Sequence, residues 1–443
     1  MLNVSEGFKY ACINGAVKNN LDIRVFGYTA DGGDTHIRND KIVFESMAVE
    51  QSICDESDLR FGGAVAGSFE IEVVGVPDLT GKYITVWLTQ NASMVTYPGS
   101  RTYPGGNSAP TYPGAYTHPD DETCPKRTVK YSGSEYYLYP GYYDYEEIIP
   151  IFSGEVYSCE LSKNHLTRKL IAYDRMYWRG NINCTEWYQS LYNGRSTLTI
   201  YELRKAICRK YGIVEEYPND ELPGDNIEIE MTEEKVTVAE LLRYLCELNG
   251  VFCMFNGLGN LEYHTLSNDS SITESIRMPG VEKYDFDYKN LDYKEFARYF
   301  TGLACRYPNG FVAWFGEVHA QNLYYILNDN ELANAYKSTT WMNATFIGMR
   351  RENDNYYLLR YFKIASYVPI NLTTRCRLWV QPGDKIEVKT HTYVLNDDGS
   401  ISRSADKTIT SYVLSRKIKG MQAMMDDITA DGEDMRYNES SIF

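Results

Sequence analysis

The sequence predicts an α+β, β-rich protein in which a smaller α/β unit lies between two β regions. Three observations predict it. Alternating apolar and polar residues recur in both the first and the last third of the chain. Two amphipathic runs, each opened by a capping box, fall close together between positions 199 and 250. Tyrosine is heavily used, with 39 against 16 Phe and 6 Trp in 443 residues, and tyrosine favours strands and surfaces that are half apolar and half wet. The pattern divides the chain into residues 1–178, 179–275 and 276–425, followed by an acidic segment at 426–443.

In the first region, residues 4–16 are expected to form a short helix and 21–28 a strand, with the ADGGD run at 30–34 as a turn. Residues 68–73 alternate strictly. Phe69, Ile71 and Val73 point one way and Ser68, Glu70 and Glu72 the other, which makes a half-buried strand with a carboxylate face. Gly62, Gly63 and Gly67 before it suit a tight bend or bulge. Residues 83–88 carry Ile84, Val86 and Leu88 on one face and Tyr83 and Trp87 on the other, and so are expected to be buried on both sides.

The composition then changes. Residues 97–145 hold eleven tyrosines and four Tyr-Pro-Gly triplets, starting at Tyr97, Tyr103, Tyr112 and Tyr139. Proline presets φ and glycine supplies positive φ, so each triplet reads as a turn. The whole stretch, 95–147, reads as a surface insertion of about fifty residues, a length at which function or an interface is expected. Tyr97, Tyr103, Tyr112, Tyr116 and Tyr139 are its candidate interaction surface, because aromatic faces give contact area at low entropic cost. A subunit contact is favoured over glycan binding, since large aromatic patches mark protein contacts. Strands at 155–160 and 168–173, turning near Lys163, close the region.

Residues 181–196 read as a connector. Thr199 to Glu202 is a capping box, followed by Leu203, Ile207 and Tyr211 on one face and Gly212 as a stop. Thr237 to Glu240 is a second box, followed by Leu241, Leu245 and Leu248, with Asn249-Gly250 as the stop. An apolar strand at 251–255, a turn at Asn256-Gly257 and a return strand at 261–266 complete a hairpin. Beyond residue 276 the candidate strands are 296–306, 310–315, 357–368, 385–389 and 408–418. Gln381-Pro382-Gly383-Asp384 is a turn, Asp397-Asp398-Gly399 a hairpin tip, and the segment from Asp426 is expected to fray.

Charge and motifs narrow the function. The formal net charge of -16 argues against a surface that grips nucleic acid, which needs clustered Lys and Arg. The ten cysteines include no CxxC pair and no zinc spacing, so buried free thiols from a reducing cytoplasm are expected. The chain start has neither a basic nor an apolar signal-peptide segment, and no apolar run is long enough to span a membrane. G-x-S-x-G is absent, and the six histidines make neither HExxH nor HxH. Gly257-Leu258-Gly259 follows a strand, but a hairpin explains it better than a dinucleotide loop. Asp120, Asp121 and Glu122 could in principle serve a glycosidase or bind calcium; a solvated loop is favoured. No catalytic, metal or cofactor residue is assigned, and the chain is read as a non-enzyme.

Five blocks carry a resemblance: FESMAVEQSICDESDLRFGGAVAGSFEIEV at 44–73, LIAYDRMY at 170–177, VTVAELLRYLCELNGVFCMF at 236–255, QPGDKIEV at 381–388 and YVLSRKIKGMQAMMDDITADGE at 412–433. In this order they resemble the tail-hub proteins of bacteriophages that infect Gram-positive bacteria, relatives of the baseplate hub of contractile-tailed phages. The resemblance implies a homotrimer at the tail tip of the virion, made in the host cytoplasm. Each subunit would supply two β-barrel-like domains, giving a pseudo-sixfold ring that docks on the distal tail protein ring. The tape-measure protein and the tip or receptor-binding proteins would be further partners, and viral DNA would pass through without specific binding. The insertion departs from the family pattern, and the chain ends soon after Glu433 without a peptidase or fibre extension. The alternative is a cell-wall glycan-binding or glycan-cleaving tail protein acting at host adsorption.

Overall fold

The computed structural model describes residues 16–28, 33–54, 63–96, 127–131, 134–138, 141–163, 165–222, 225–226, 228–231, 235–249, 251–264, 266, 271–277, 288–293, 302–306, 312–316, 324–327, 368–390, 393–395, 401–403, 407–421 and 424–433, with positions 4, 8, 9 and 12 before them. The chain divides into two units. The larger comprises Met1–Leu2, Leu21–Leu88 and Ile149–Phe443, and the smaller Asn3–Asn20 and Thr89–Ile148.

The strands up to the first helix are β1 (Ala16–Val25), β2 (Thr35–Arg38), β3 (Ala48–Ser52), β4 (Ser68–Val74), β5 (Tyr83–Thr96), β6 (Arg127–Tyr131), β7 (Ser134–Leu138), β8 (Gly141–Leu161) and β9 (Thr167–Tyr173). In β4 the alternation works as expected: Phe69, Ile71 and Val73 are buried and Ser68, Glu70 and Glu72 are only partly covered. Each buried side chain of this size stabilises by about 1.5–3 kcal/mol. A one-residue slip would turn all three outward, so the pairing of β4 with β9, from Ser68 opposite Tyr173 to Val74 opposite Thr167, is held by the pattern itself. Strand β8 pairs with β9 through a bulge between Val156 and Ser158. Their hairpin is closed by Ser162 N donating to Thr167 O at 2.8 Å, with His165 in the left-handed region at φ 55°.

Residues 83–88 lie within β5, and here the expectation is corrected. Ile84, Val86 and Leu88 are buried, but Tyr83 and Trp87 are half-buried, so only one face is covered. The polar tips explain it: the Tyr83 hydroxyl sits 3.1 Å from Ser153 Oγ, and Trp87 Nε1 donates to Thr85 Oγ1 at 3.3 Å. Amphipathic rings keep a wet edge.

The middle of the chain forms α1 (Arg175–Gly180), α2 (Thr185–Ser190), β10 (Thr197–Thr199), α3 (Ile200–Tyr211), β11 (Glu228–Glu230), α4 (Val238–Asn249), β12 (Phe252–Phe255) and β13 (Leu261–His264). Both capping boxes form. Thr199 Oγ1 accepts from Glu202 N at 3.1 Å while Glu202 Oε2 accepts from Thr199 N at 2.9 Å, and Thr237 and Glu240 repeat the exchange at 3.3 and 2.8 Å. Gly212 ends α3 at φ 64°, donating its N–H to Cys208 O. The expected connector at 181–196 contains a helix, α2 at Thr185–Ser190, which begins after a four-residue turn from α1. Helices of six residues are too short to show a periodicity. Leu203, Ile207, Leu241 and Leu245 pack with Tyr188, Tyr192, Val251 and Leu261 in one core.

The remaining strands are β14 (Glu274–Arg277), β15 (Tyr288–Tyr293), β16 (Gly302–Arg306), β17 (Val312–Gly316), β18 (Tyr324–Leu327), β19 (Val368–Arg375), β20 (Lys385–Thr390), β21 (Tyr393–Leu395), β22 (Ile401–Arg403), β23 (Lys407–Lys419) and β24 (Met425–Glu433). The Gln381–Asp384 turn forms before β20, with Gly383 at φ 90° and Gln381 N donating to Asp384 Oδ2 at 2.9 Å. The tip at 397–399 and most of the candidate strand at 357–368 lie outside the described residues. Of the segment expected to fray from Asp426, residues 426–433 belong instead to strand β24, and residues 434–443 lie outside the described residues. The strand lies between β19 and β23, with Asp426 fully buried against Arg416.

The main sheet runs β15-β19-β24-β23-β3-β4-β9-β8-β5-β1-β2, with β20 also on β23 and β14 on β20. Its junction is β3 against β23, where Val49 faces Ile418 and Glu50 faces Lys417. Strands of the two expected β regions therefore share one sheet. Ile53, Phe252, Met254, Leu266, Tyr412 and Leu414 form a second apolar cluster that seats the β12–β13 hairpin on this junction. In the smaller unit Phe8 and Ala92 are buried, and Gln90 accepts from Cys12 Sγ at 3.3 Å and donates to Asn19 Oδ1 at 2.9 Å.

Candidate assembly surface

The chain leaves β9 through Asp174, which caps α1. Its Oδ1 accepts from Met176 N at 2.8 Å, and its Oδ2 accepts from Gly67 N at 2.7 Å. A Cβ at Gly67 would stand 3.0 Å from that oxygen and 3.2 Å from the Glu50 carbonyl, so any side chain there would crowd the cap. Burial pushes the Asp174 carboxyl up to about 7, against the pull of the N–H groups of Gly67, Met176 and Tyr177. The cap thus locks the start of α1 to the start of β4.

That lock sets four rings side by side. Tyr173 and Tyr177 stack at 4.3 Å and 19°, and Trp178 stands edge-on to Tyr177 at 5.3 Å and 80°. Tyr157, from β8, meets Tyr173 at 5.5 Å, Tyr177 at 5.7 Å and Trp178 at 6.2 Å. Tyr157 is 49 % exposed and the other three are half-buried. Trp178 also lines a cleft of about 140 Å³ with Tyr83, Glu155, Arg175, Arg179, Tyr211 and Gly212. Its walls are fixed: Trp178 Nε1 donates to Glu155 O at 3.3 Å, Arg175 Nη1 donates to Gly212 O at 3.1 Å, and the Arg175 guanidinium lies 5.7 Å over the Tyr83 ring. Aromatic faces beside arginines are the composition of protein contact surfaces. Val74, Leu161 and Leu166 add a smaller exposed apolar group where β4, β8 and β9 end.

The buried charges serve the interior. Arg204 of α3 reaches Glu215 at 2.5 Å and Asp225 at 2.6 Å, with all three side chains nearly inaccessible, and Lys205 shares Glu215. Arg416 pairs with Asp426 and donates to the Val380 carbonyl. Neither guanidinium reaches solvent, so neither is an accessible site.

The sequence-predicted surface residues Tyr97, Tyr103, Tyr112, Tyr116 and Tyr139, and the acids Asp120, Asp121 and Glu122, lie outside the described residues. His36 pairs with Asp22 at 2.9 Å, His264 with Glu262 at 3.3 Å, and His165 sits in the β8–β9 turn. Cys12, Cys54, Cys159, Cys184, Cys208, Cys246, Cys253 and Cys376 are free thiols. Burial pushes Cys12 and Cys208 up to about 12 and Cys184 to about 11, which keeps these thiols protonated and unreactive near neutrality. Among the described residues no three His, Cys, Asp or Glu side chains gather as metal ligands, and no helix is long and apolar enough to cross a membrane.

The ring cluster is not among the sequence expectations, though part of its signal is local. Tyr173, the last residue of β9, and Tyr177, in the first turn of α1, stand on either side of the capping Asp174, so the turn of the chain at the cap brings the two rings together. Tyr157 joins them only through the β8–β9 pairing.

No family model matches the chain, and no curated protein matches it. Among solved structures it is similar to the tail protein from Neisseria meningitidis MC58, with 11 % identity, coverage of 94 % of this chain and 97 % of that one, and a TM-score of 0.48. It is also similar to the 43 kDa tail protein of prophage MuSo2 from Shewanella oneidensis, at 11 % identity, 93 % and 97 % coverage and a TM-score of 0.47. A component of the E. coli type VI secretion system aligns at 8 % identity, over 89 % of this chain and 76 % of that one, with a TM-score of 0.38.

Proposed function

We propose that this chain is a structural protein of a bacteriophage tail, of the hub type found in phages of Gram-positive bacteria. One observation carries the reading. The five sequence blocks that resemble tail hubs are dispersed over 390 residues, from position 44 to 433, yet four of them supply strands that are neighbours in space. The block at 44–73 gives β3 and β4, that at 170–177 enters from β9, and that at 412–433 gives β23 and β24, so they form the consecutive run β24-β23-β3-β4-β9. The block at 381–388 gives the turn and most of β20, on the other edge of β23. The fifth, at 236–255, gives α4 and β12, and β12 packs on the same junction through Phe252 and Met254. That blocks resembling one family also build one contiguous body supports this reading.

On this reading three copies form a ring at the tail tip, with each subunit's β regions acting as two barrel-like modules in pseudo-sixfold order. The ring joins the tube and distal tail ring to the tip, contacts the tape-measure and receptor-binding proteins, and frames the channel for DNA. The net charge of -16 suits a channel that phosphates cross without adhering. The chemistry is mechanical, and no residue is assigned to catalysis. Native mass spectrometry of the purified chain, followed by imaging of assembled tails, tests the proposal. Three copies and a ring at the tip are expected. A monomer that persists at high concentration, with this chain missing from the tips of assembled tails, overturns it.

A further inference from the structure

The aromatic cleft at Trp178 has the chemistry of a proline slot. Its faces are Trp178, Tyr83 and Tyr211, and the Tyr157–Tyr173–Tyr177 rings extend from Trp178 beside it. Clefts lined by fixed aromatic rings take proline-containing segments, because the pyrrolidine ring packs on the ring faces and proline's fixed φ lowers the entropy lost on binding. The cleft lining carries two arginines, Arg175 and Arg179, against one acid, Glu155, and Arg179 is exposed. An exposed arginine beside such a slot, on a chain of net charge -16, selects a segment that follows its prolines with acids.

The chain's own sequence contains such a segment. Residues 97–122 hold three Tyr-Pro-Gly triplets, two further prolines at 110 and 119, and then Asp120, Asp121 and Glu122. We propose that this Tyr-Pro-Gly segment of one copy docks on the Trp178 cleft and the Tyr157–Tyr177 rings of a second copy, with its acids toward Arg179. The segment belongs to residues 97–126, a thirty-residue length of chain outside the described residues between the end of β5 and the start of β6. The inference rests on the hub reading only in taking the segment from a second copy.

The test uses the full chain with p-benzoylphenylalanine at position 157, made as an equal mixture of light and ¹⁵N-labelled protein and irradiated. The expected cross-links run from position 157 to residues 97–122 and join light to heavy chains. A synthetic peptide of residues 97–122 competes for them, and the same peptide with Ala at its prolines does not. Trp178→Ala lowers the yield about tenfold, as removal of a central aromatic anchor does. Arg179→Glu, an exposed change that leaves the fold intact, lowers it as well. Cross-links that fall elsewhere, or only within one copy, overturn the inference. So does their absence from a sample whose native mass is three copies, and that result leaves the hub reading standing. A monomeric mass overturns the hub reading and the exchange between copies together.

Discussion

Replacing Arg416 by alanine should be among the most damaging single changes in the main sheet. Arg416 on β23 and Asp426 on β24 are 1 % and 0 % exposed, and the guanidinium spans both carboxylate oxygens. It also donates to the carbonyls of Val380 and, at 3.4 Å, Arg377. Burial holds the Asp426 carboxyl above its ordinary range, against the pull of Arg416. Removing one member of such a pair strands the other and destabilises by about 3–5 kcal/mol. The Val380 carbonyl, left without this donor, adds to the loss, while protonation of Asp426 trims it. The double change Arg416→Met/Asp426→Leu removes both charges and leaves chiefly the carbonyls, so its loss should be about 1–3 kcal/mol. Guanidinium denaturation followed by fluorescence reads the loss, with Trp379, fully buried beside Val380, among its reporters. The reasoning is refuted if Arg416→Ala lies within about 1 kcal/mol of the parent, or if the double variant is less stable than the single.

Other consequences can be checked on the same protein. Asp174 is raised from 3.8 to about 7 in the folded state, so the folded chain holds a proton that the unfolded chain releases. Its contribution is complete below the unfolded value and lost as pH rises toward 7. Urea midpoints of the parent should therefore fall relative to Asp174→Asn between pH 4 and pH 7, by up to about 4 kcal/mol at about 1.4 kcal/mol per unit; a constant difference across that range would remove the argument. Thr199→Ala should cost about 0.5–2 kcal/mol by opening the capping box, read from the same urea midpoints. Gly212→Ala should cost about 1–2 kcal/mol through its φ of 64° alone, since nothing stands within 4 Å of the added Cβ. Gly154→Ala drives its Cβ into the Tyr173 carbonyl and should lower the melting temperature through about 1–3 kcal/mol of overpacking, whereas an unchanged melt would show that β8 and β9 can part without loss.

Several of these features are legible in the amino-acid order alone. The β4 alternation, both capping boxes, the Gly212 stop, the 251–266 hairpin and the Gln381–Asp384 turn each depend on residues within about a dozen positions, the range over which helical and strand periodicity is written. The half-open face of β5 is not legible there, because Tyr83 and Trp87 count as apolar in a pattern but keep polar tips that need partners. Strand β24 is hidden because Asp426 and Asp427 look like a solvated acidic run; only Arg416, on the neighbouring strand, makes the burial of Asp426 tolerable. The Trp178 cluster is half visible in the spacing of Tyr173 and Tyr177 and hidden in Tyr157.

The division follows the range of the forces. Helix caps, turns and faces of strands are settled between near neighbours, so the amino-acid order specified them. Which strands meet is settled by shared burial between segments far apart. Glu50 and Lys417, 367 residues apart, face each other across the β3–β23 junction, and no local pattern in either strand names its partner. Folding alone chose that pairing, since only the assembled sheet buries Val49 and Ile418 together.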